Sequence, residues 1–104
     1  MSVPEISVDE LVAKQAAGAP IIDVREPDEW ETVRVPGVVL IPLGDHVARV
    51  HQVPETDTVY IICATGARRA RAAEHLRRMG IDAINVAGGT KAWAAAGHPV
   101  ESGP

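Results

Sequence analysis

Short, almost wholly apolar runs alternate along this chain with longer stretches in which apolar residues recur every three or four positions. The apolar runs are Ile21-Ile22-Asp23-Val24, Val38-Val39-Leu40-Ile41, Val59-Tyr60-Ile61-Ile62 and Ala83-Ile84-Asn85-Val86. Each is too short for a stable helix and carries apolar residues at both parities, as strands buried on both faces do. Between them lie helical signals. Ser7 and Glu10 have the spacing of a capping box, which predicts a helix over Val8 to Ala17 closed by Gly18. Pro27-Asp28-Glu29-Trp30 reads as a short helix start, and Leu43 to Val50 as another short helix before Pro54 forces an extended break. From Ala67 to Met79 the pattern puts Ala70, Ala73 and Leu76 on one face and Arg71, Arg77 and Arg78 elsewhere, with Gly80 as the stop. Gly88-Gly89 is a turn, Thr90 to Ala96 a short helix ended by Gly97, and residues 99–104 are expected to be a loose tail.

Strands this short, joined by segments long enough for crossovers, predict an α/β fold: a mostly parallel sheet with helices on both faces. In such sheets ligands bind beyond the carboxyl ends of the strands, which is where Cys63 and Asp23-Val24-Arg25 fall.

Composition narrows the class. A chain of 104 residues with 46% hydrophobic content suits one domain, residues 1–104, with a real core. The formal charge of −4 argues against general nucleic-acid binding, although Arg68, Arg69, Arg71, Arg77 and Arg78 cluster locally. No apolar run approaches the roughly 18 to 20 residues that cross a bilayer, so no membrane partner is expected. A single cysteine cannot form an internal disulfide, and Met1-Ser2-Val3-Pro4-Glu5 lacks the features of a secretory signal. A reducing, cytoplasmic setting is the expectation.

That cysteine is the most informative residue. Cys63 ends an apolar strand and opens the loop Ala64-Thr65-Gly66-Ala67-Arg68, after which a helix begins. Backbone N–H groups and the positive end of a helix favour a thiolate there. The small residues Ala64 to Ala67 leave N–H groups free to converge on an anion, Thr65 adds a hydroxyl donor, and Arg68 adds a planar cationic fork. From position alone, Cys63 reads equally as a nucleophile or as a small buried hydrophobe.

The sequence resembles the rhodanese-like family over nearly its whole length. Ile21 to Trp30 is similar to a first signature, Val35-Pro36-Gly37-Val38 with Ile41-Pro42-Leu43 to a second, and Cys63 to Arg68 to the active-site loop. Gly88-Gly89 with Trp93, then Gly97-His98-Pro99-Val100, resembles the C-terminal signature. The resemblance implies a five-stranded sheet and a single-domain sulfurtransferase. In it, Cys63 would take a sulfane sulfur from a donor such as thiosulfate, hold it as a persulfide against residues 64 to 68, and pass it to cyanide or a thiol. It implies no cofactor and no metal, and partners that are small sulfur donors and acceptors or a persulfidated protein. The alternative is a sulfur carrier or binding module fed by a partner. Family members acting on sulfur have the six-residue loop seen from Cys63 to Arg68, whereas related phosphatases have a longer one. Ala64, Arg69 and Arg34 depart from the usual pattern, where a basic residue, a small hydroxyl residue and a histidine are common.

Other candidates read as scaffold. Asp23 lies inside an apolar strand and needs hydrogen-bonding partners if buried. Arg25 and Glu29, four apart, suit a pair along a helical turn. Trp30 and Trp93 read as packing residues in a chain without phenylalanine. His46 and His51 are five apart and do not share a helix face, and neither His75 nor His98 has a nucleophile within sequence reach. No zinc site is expected.

Overall fold

The computed structural model describes residues 3–42, 58–63 and 67–103, with 67–70 described by backbone only. The helix expected over Leu43 to Val50 lies outside the described residues, as do His46 and His51.

Strands β1 (Glu5–Ile6), β2 (Ile21–Asp23), β3 (Val39–Leu40), β4 (Val59–Ile62) and β5 (Ala83–Val86) form one sheet in the order β1-β5-β4-β2-β3. All four pairings are parallel. The helices are α1 (Val8–Ala16), α2 (Pro27–Thr32), α3 (Ala67–Arg78) and α4 (Gly89–Ala95). Because side chains alternate across a strand, the central β4 feeds two cores. Val59, Ile61 and Cys63 join Ile22, Val24 and the α3 residues Ala72, Ala73 and Leu76 on one face. Tyr60 and Ile62 join Ile21, Val86, Val8 and Leu11 of α1 and Trp93 of α4 on the other. This is the α/β sheet with helices on both faces that the sequence implies.

The helix ends follow their sequence signals. The Ser7 hydroxyl accepts the Glu10 N–H at 3.1 Å, and the Glu10 carboxylate accepts the Ser7 N–H at 3.2 Å, so α1 opens on the expected capping box. Past α3, Gly80 adopts φ +87°, a left-handed conformation that lets the chain turn sharply back into β5.

Two features differ from expectation. The first is β1, which no apolar run announces. It exists because Pro4 and Ile6 carbonyls accept the N–H groups of Asn85 and Ala87, at 2.9 and 2.8 Å. The second is the C-terminal stretch, expected to be loose. Arg34 and Glu101 exchange both main-chain hydrogen bonds, and the Gly103 N–H donates to the Glu31 carbonyl at 2.7 Å. Arg34 is nine-tenths buried; its guanidinium lies 3.7 Å from the Trp30 ring centroid and donates to the Gly103 carbonyl at 2.6 Å. On the other side of the segment, the Trp93 indole N–H donates to the Pro99 carbonyl at 2.7 Å, and His98 lies against Trp93 with Nε2 2.9 Å from Asp9. The residue that departs from the family pattern before Val35-Pro36-Gly37 is thus a clamp on the C-terminal segment.

Candidate active site at the carboxyl edge of the sheet

The carboxyl ends of β3, β2 and β4 are knit together by main-chain bonds. The Val24 N–H donates to the Ile62 carbonyl at 3.1 Å and the Ile41 N–H to the Asp23 carbonyl at 2.9 Å. Cys63 follows β4 directly and is 1% exposed, in the apolar cluster under α3. Its carbonyl accepts the Thr90 N–H at 2.7 Å, which docks the first turn of α4 onto the cysteine. The twelve-residue helix α3 starts at Ala67, four residues on, so its positive end lies at the same edge.

Of the predicted loop, Ala64, Thr65 and Gly66 lie outside the described residues. Ala67 and Arg68 form the first turn of α3, and their side chains, like that of Arg69, also lie outside the description. What is placed is the cysteine and the main-chain frame around it. Among the described residues, no group of three or more His, Cys, Asp or Glu side chains could hold a metal.

Gly88 sets where α4 begins. It adopts φ +77° and ψ −13°, and a Cβ there would meet the Ala92 Cβ at 2.5 Å. Gly88→Ala is therefore expected to cost more than the roughly 1–2 kcal/mol of a left-handed backbone, since α4 must also move. As α4 moves, its bond to Cys63 should weaken, so denaturant unfolding should show the stability loss and alkylation of Cys63 should speed up.

Asp23 and Arg25 form the polar part of the edge. Asp23 is fully buried and Arg25 is 3% exposed. The guanidinium meets the carboxylate through Nη2 at 2.7 Å and Nε at 3.0 and 3.1 Å, while the Arg25 main-chain N–H donates to Oδ1 at 3.0 Å. Its remaining donors reach the carbonyls of Val33 at 2.6 Å and Glu29 at 3.3 Å. The helical-turn pair expected between Arg25 and Glu29 is replaced by this arrangement: Arg25 precedes α2, turns back to Asp23, and donates to the main-chain carbonyl of Glu29. The Glu29 carboxylate accepts the Glu26 N–H at 3.0 Å. Trp93 is a core residue as expected, whereas Trp30 is only half-buried, under the Arg34 guanidinium.

One feature at this edge has no signal in the sequence. Helices α2 and α4, far apart along the chain, bound a cleft of about 420 Å³ whose lining includes Arg25, Asp28, Val33, Thr90, Lys91 and Ala94.

The family model described as Rhodanese-like domain matches residues 7–96. The chain belongs to the rhodanese-like family. Its relatives include the "Putative sulfur carrier protein YrkF" of Bacillus subtilis, 40% identical over 95 residues that cover 88% of this chain and 51% of that protein. The "Putative sulfurtransferase YtwF" of the same organism is 32% identical, with 89% of this chain and 92% of that protein covered. Among solved structures, the thiosulfate sulfurtransferase from Pseudomonas aeruginosa superposes with a TM-score of 0.87 at 29% identity, over 98% of this chain and 21% of that one. The chain thus spans about half the length of YrkF and a fifth of the Pseudomonas enzyme. These relatives are named as sulfurtransferases or sulfur carriers, and the superposition shows that the chain shares the rhodanese fold. No helix among the described residues is long and apolar enough to cross a membrane.

Proposed function

We propose that this protein is a sulfurtransferase that moves a sulfane sulfur from a donor such as thiosulfate to a thiophilic acceptor through a persulfide on Cys63. The observation that carries the reading is the placement of the chain's only cysteine, directly after the central strand, bonded to α4 and four residues before the start of α3. In the first step the Cys63 thiolate attacks the outer sulfur of the donor. The donor S–S bond breaks, and sulfite leaves with its electron pair. In the second, the acceptor attacks the outer sulfur of the persulfide and Cys63 departs as thiolate. No oxidant or reductant is consumed. The positive end of α3 and the main-chain donors of residues 64 to 68 would hold the terminal sulfur charge, as donors hold an oxyanion in acyl transfer.

A second reading is favoured by the YrkF likeness: a carrier that is loaded only by a partner protein. One experiment separates the two. Intact mass of the unreduced protein is measured before and after thiosulfate, and again after a persulfidated protein donor, with cyanide added last. A cyanide-labile gain of about 32 Da from thiosulfate supports the free-standing transferase. Gain from the protein donor alone supports the carrier, and no gain from either overturns the persulfide reading.

A further inference from the structure

We propose that the cleft between α2 and α4 is a regulatory site for a dipeptide with an apolar side chain, whose binding holds α4 against the main chain of Cys63. The site is separate from the sulfur chemistry. The Cys63 side chain packs under α3, whereas Trp93 of α4 packs on the other face of the sheet. A ligand in the cleft therefore does not touch the thiol, and the inference stands whether or not Cys63 carries sulfur.

The C-terminal segment ties the two walls together. Trp93 of α4 donates its indole N–H to the Pro99 carbonyl at 2.7 Å, and the Gly103 N–H donates to the carbonyl of Glu31 in α2 at 2.7 Å. This strap sets the spacing of the walls in advance, and a preformed site loses less freedom on binding. The volume of about 420 Å³ falls within the range of small-molecule sites, about 300–1,000 Å³.

The charges on the walls select the occupant. The Arg25 guanidinium is engaged by Asp23 at 2.7 Å, and the Glu29 carboxylate accepts the Glu26 N–H at 3.0 Å. Asp28 on the α2 wall and Lys91 on the α4 wall are exposed, and neither side chain makes an ion pair among the described residues. One charge of each sign suits neither an inorganic anion nor a metal ion; it suits a ligand with its own ammonium and carboxylate. The two charges stand on different helices, and even closely packed helix axes lie about 8–10 Å apart. That separation matches the two ends of a dipeptide better than the adjacent groups of one amino acid. Val33 and Ala94, also in the lining, offer its side chain an apolar surface.

Thr90 connects the cleft to the cysteine. It lines the cleft, is 2% exposed, and its hydroxyl oxygen has no hydrogen-bond partner among the described residues. Orphaned buried hydroxyls are uncommon, and rotation about one bond carries the oxygen to another staggered position. A ligand carboxylate held by Lys91, the next residue, would accept that O–H. The Thr90 N–H meanwhile donates to the Cys63 carbonyl at 2.7 Å. A ligand that bridges α2 and α4 and bonds Thr90 thus opposes the opening of that contact.

The test titrates the full chain with alanyl-leucine and follows the amide NMR signals of Asp28, Val33, Thr90, Lys91 and Ala94. Saturable shifts at these positions are expected. N-acetyl-alanyl-leucine and alanyl-leucinamide each lack one charge and should bind at least about threefold more weakly, within what one exposed ion pair contributes. Lys91→Glu and Asp28→Lys should weaken the parent dipeptide by a similar factor, with affinity retained in Lys91→Arg. At saturation, hydrogen exchange of the Thr90 amide should slow at least about threefold, because local opening then requires release of the ligand. Absence of saturable shifts up to the solubility limit, equal affinity for the blocked dipeptides, or unchanged affinity in both reversals would overturn the site. Unchanged Thr90 exchange at saturation would overturn its coupling to Cys63.

Discussion

Cys63→Ala should accept no sulfur from thiosulfate or from a persulfidated protein, while the fold survives. Residual loading at the wild-type level would remove Cys63 from the mechanism. Alanine is the better substitution because of where the side chain sits. Cys63 is 1% exposed in an apolar cluster with Ile22, Val24 and Ile61. A serine there would bury a hydroxyl in that cluster, at a cost of about 1–3 kcal/mol if left unbonded. Alanine deletes one atom, with an expected loss of about 1–2 kcal/mol from transfer and cavity effects. Denaturant unfolding of both variants separates loss of chemistry from loss of structure: Cys63→Ala should unfold cooperatively at a modestly lower midpoint, with its loading abolished.

The largest loss of stability is expected at Asp23, and it concerns the scaffold rather than the chemistry. Asp23→Ala leaves the Arg25 guanidinium buried without its counter-charge, and breaking such a pair from one side costs about 3–5 kcal/mol. That is a large share of the roughly 5–15 kcal/mol that holds a small domain together. The double variant Asp23→Leu, Arg25→Met removes both charges, and replacement of a buried pair by apolar side chains is often close to neutral. Two of the Arg25 donors also serve the Val33 and Glu29 carbonyls, so the double variant should recover most but not all of the loss. Chemical denaturation of the three proteins checks this. A single variant within about 1 kcal/mol of wild type, less than the low end for such a pair, would mean that Arg25 finds other partners or water.

The parts of the fold that local chemistry dictates were legible in the sequence. Val59 to Ile62 and Ala83 to Val86 are strands at the residues their apolar runs mark, and α1 opens on the Ser7–Glu10 box. In each case the signal and the structure occupy the same few residues. What escaped depends on partners distant in sequence. Glu5–Ile6 is a strand only because β5 offers it hydrogen bonds. Glu101 and Gly103 are held by Arg34 and Glu31, far back in the chain. The four-residue spacing of Arg25 and Glu29 suggests a pair along a helical turn, yet the helix begins at Pro27, and the geometry of that pairing never applies. For the candidate site, the place of Cys63 between strand and helix was legible. The cleft was not, since its walls come from α2 and α4 and neither segment alone suggests a concavity.

The two-faced burial of β4 has a consequence for how such a chain can vary. Tyr60 and Ile62 belong to the core beneath α1 and α4, whereas Val59, Ile61 and Cys63 belong to the core beneath α3. Removing or adding one residue within this strand exchanges the two sets and swings the cysteine to the opposite layer, away from the helix that starts at Ala67. Substitutions among Val, Ile and Leu here alter packing by degrees; a single-codon deletion reverses the direction in which the cysteine points. Odd-numbered length changes in this segment are therefore excluded, whereas descendants of this sequence can drift in apolar composition along β4 without moving the cysteine to the other layer.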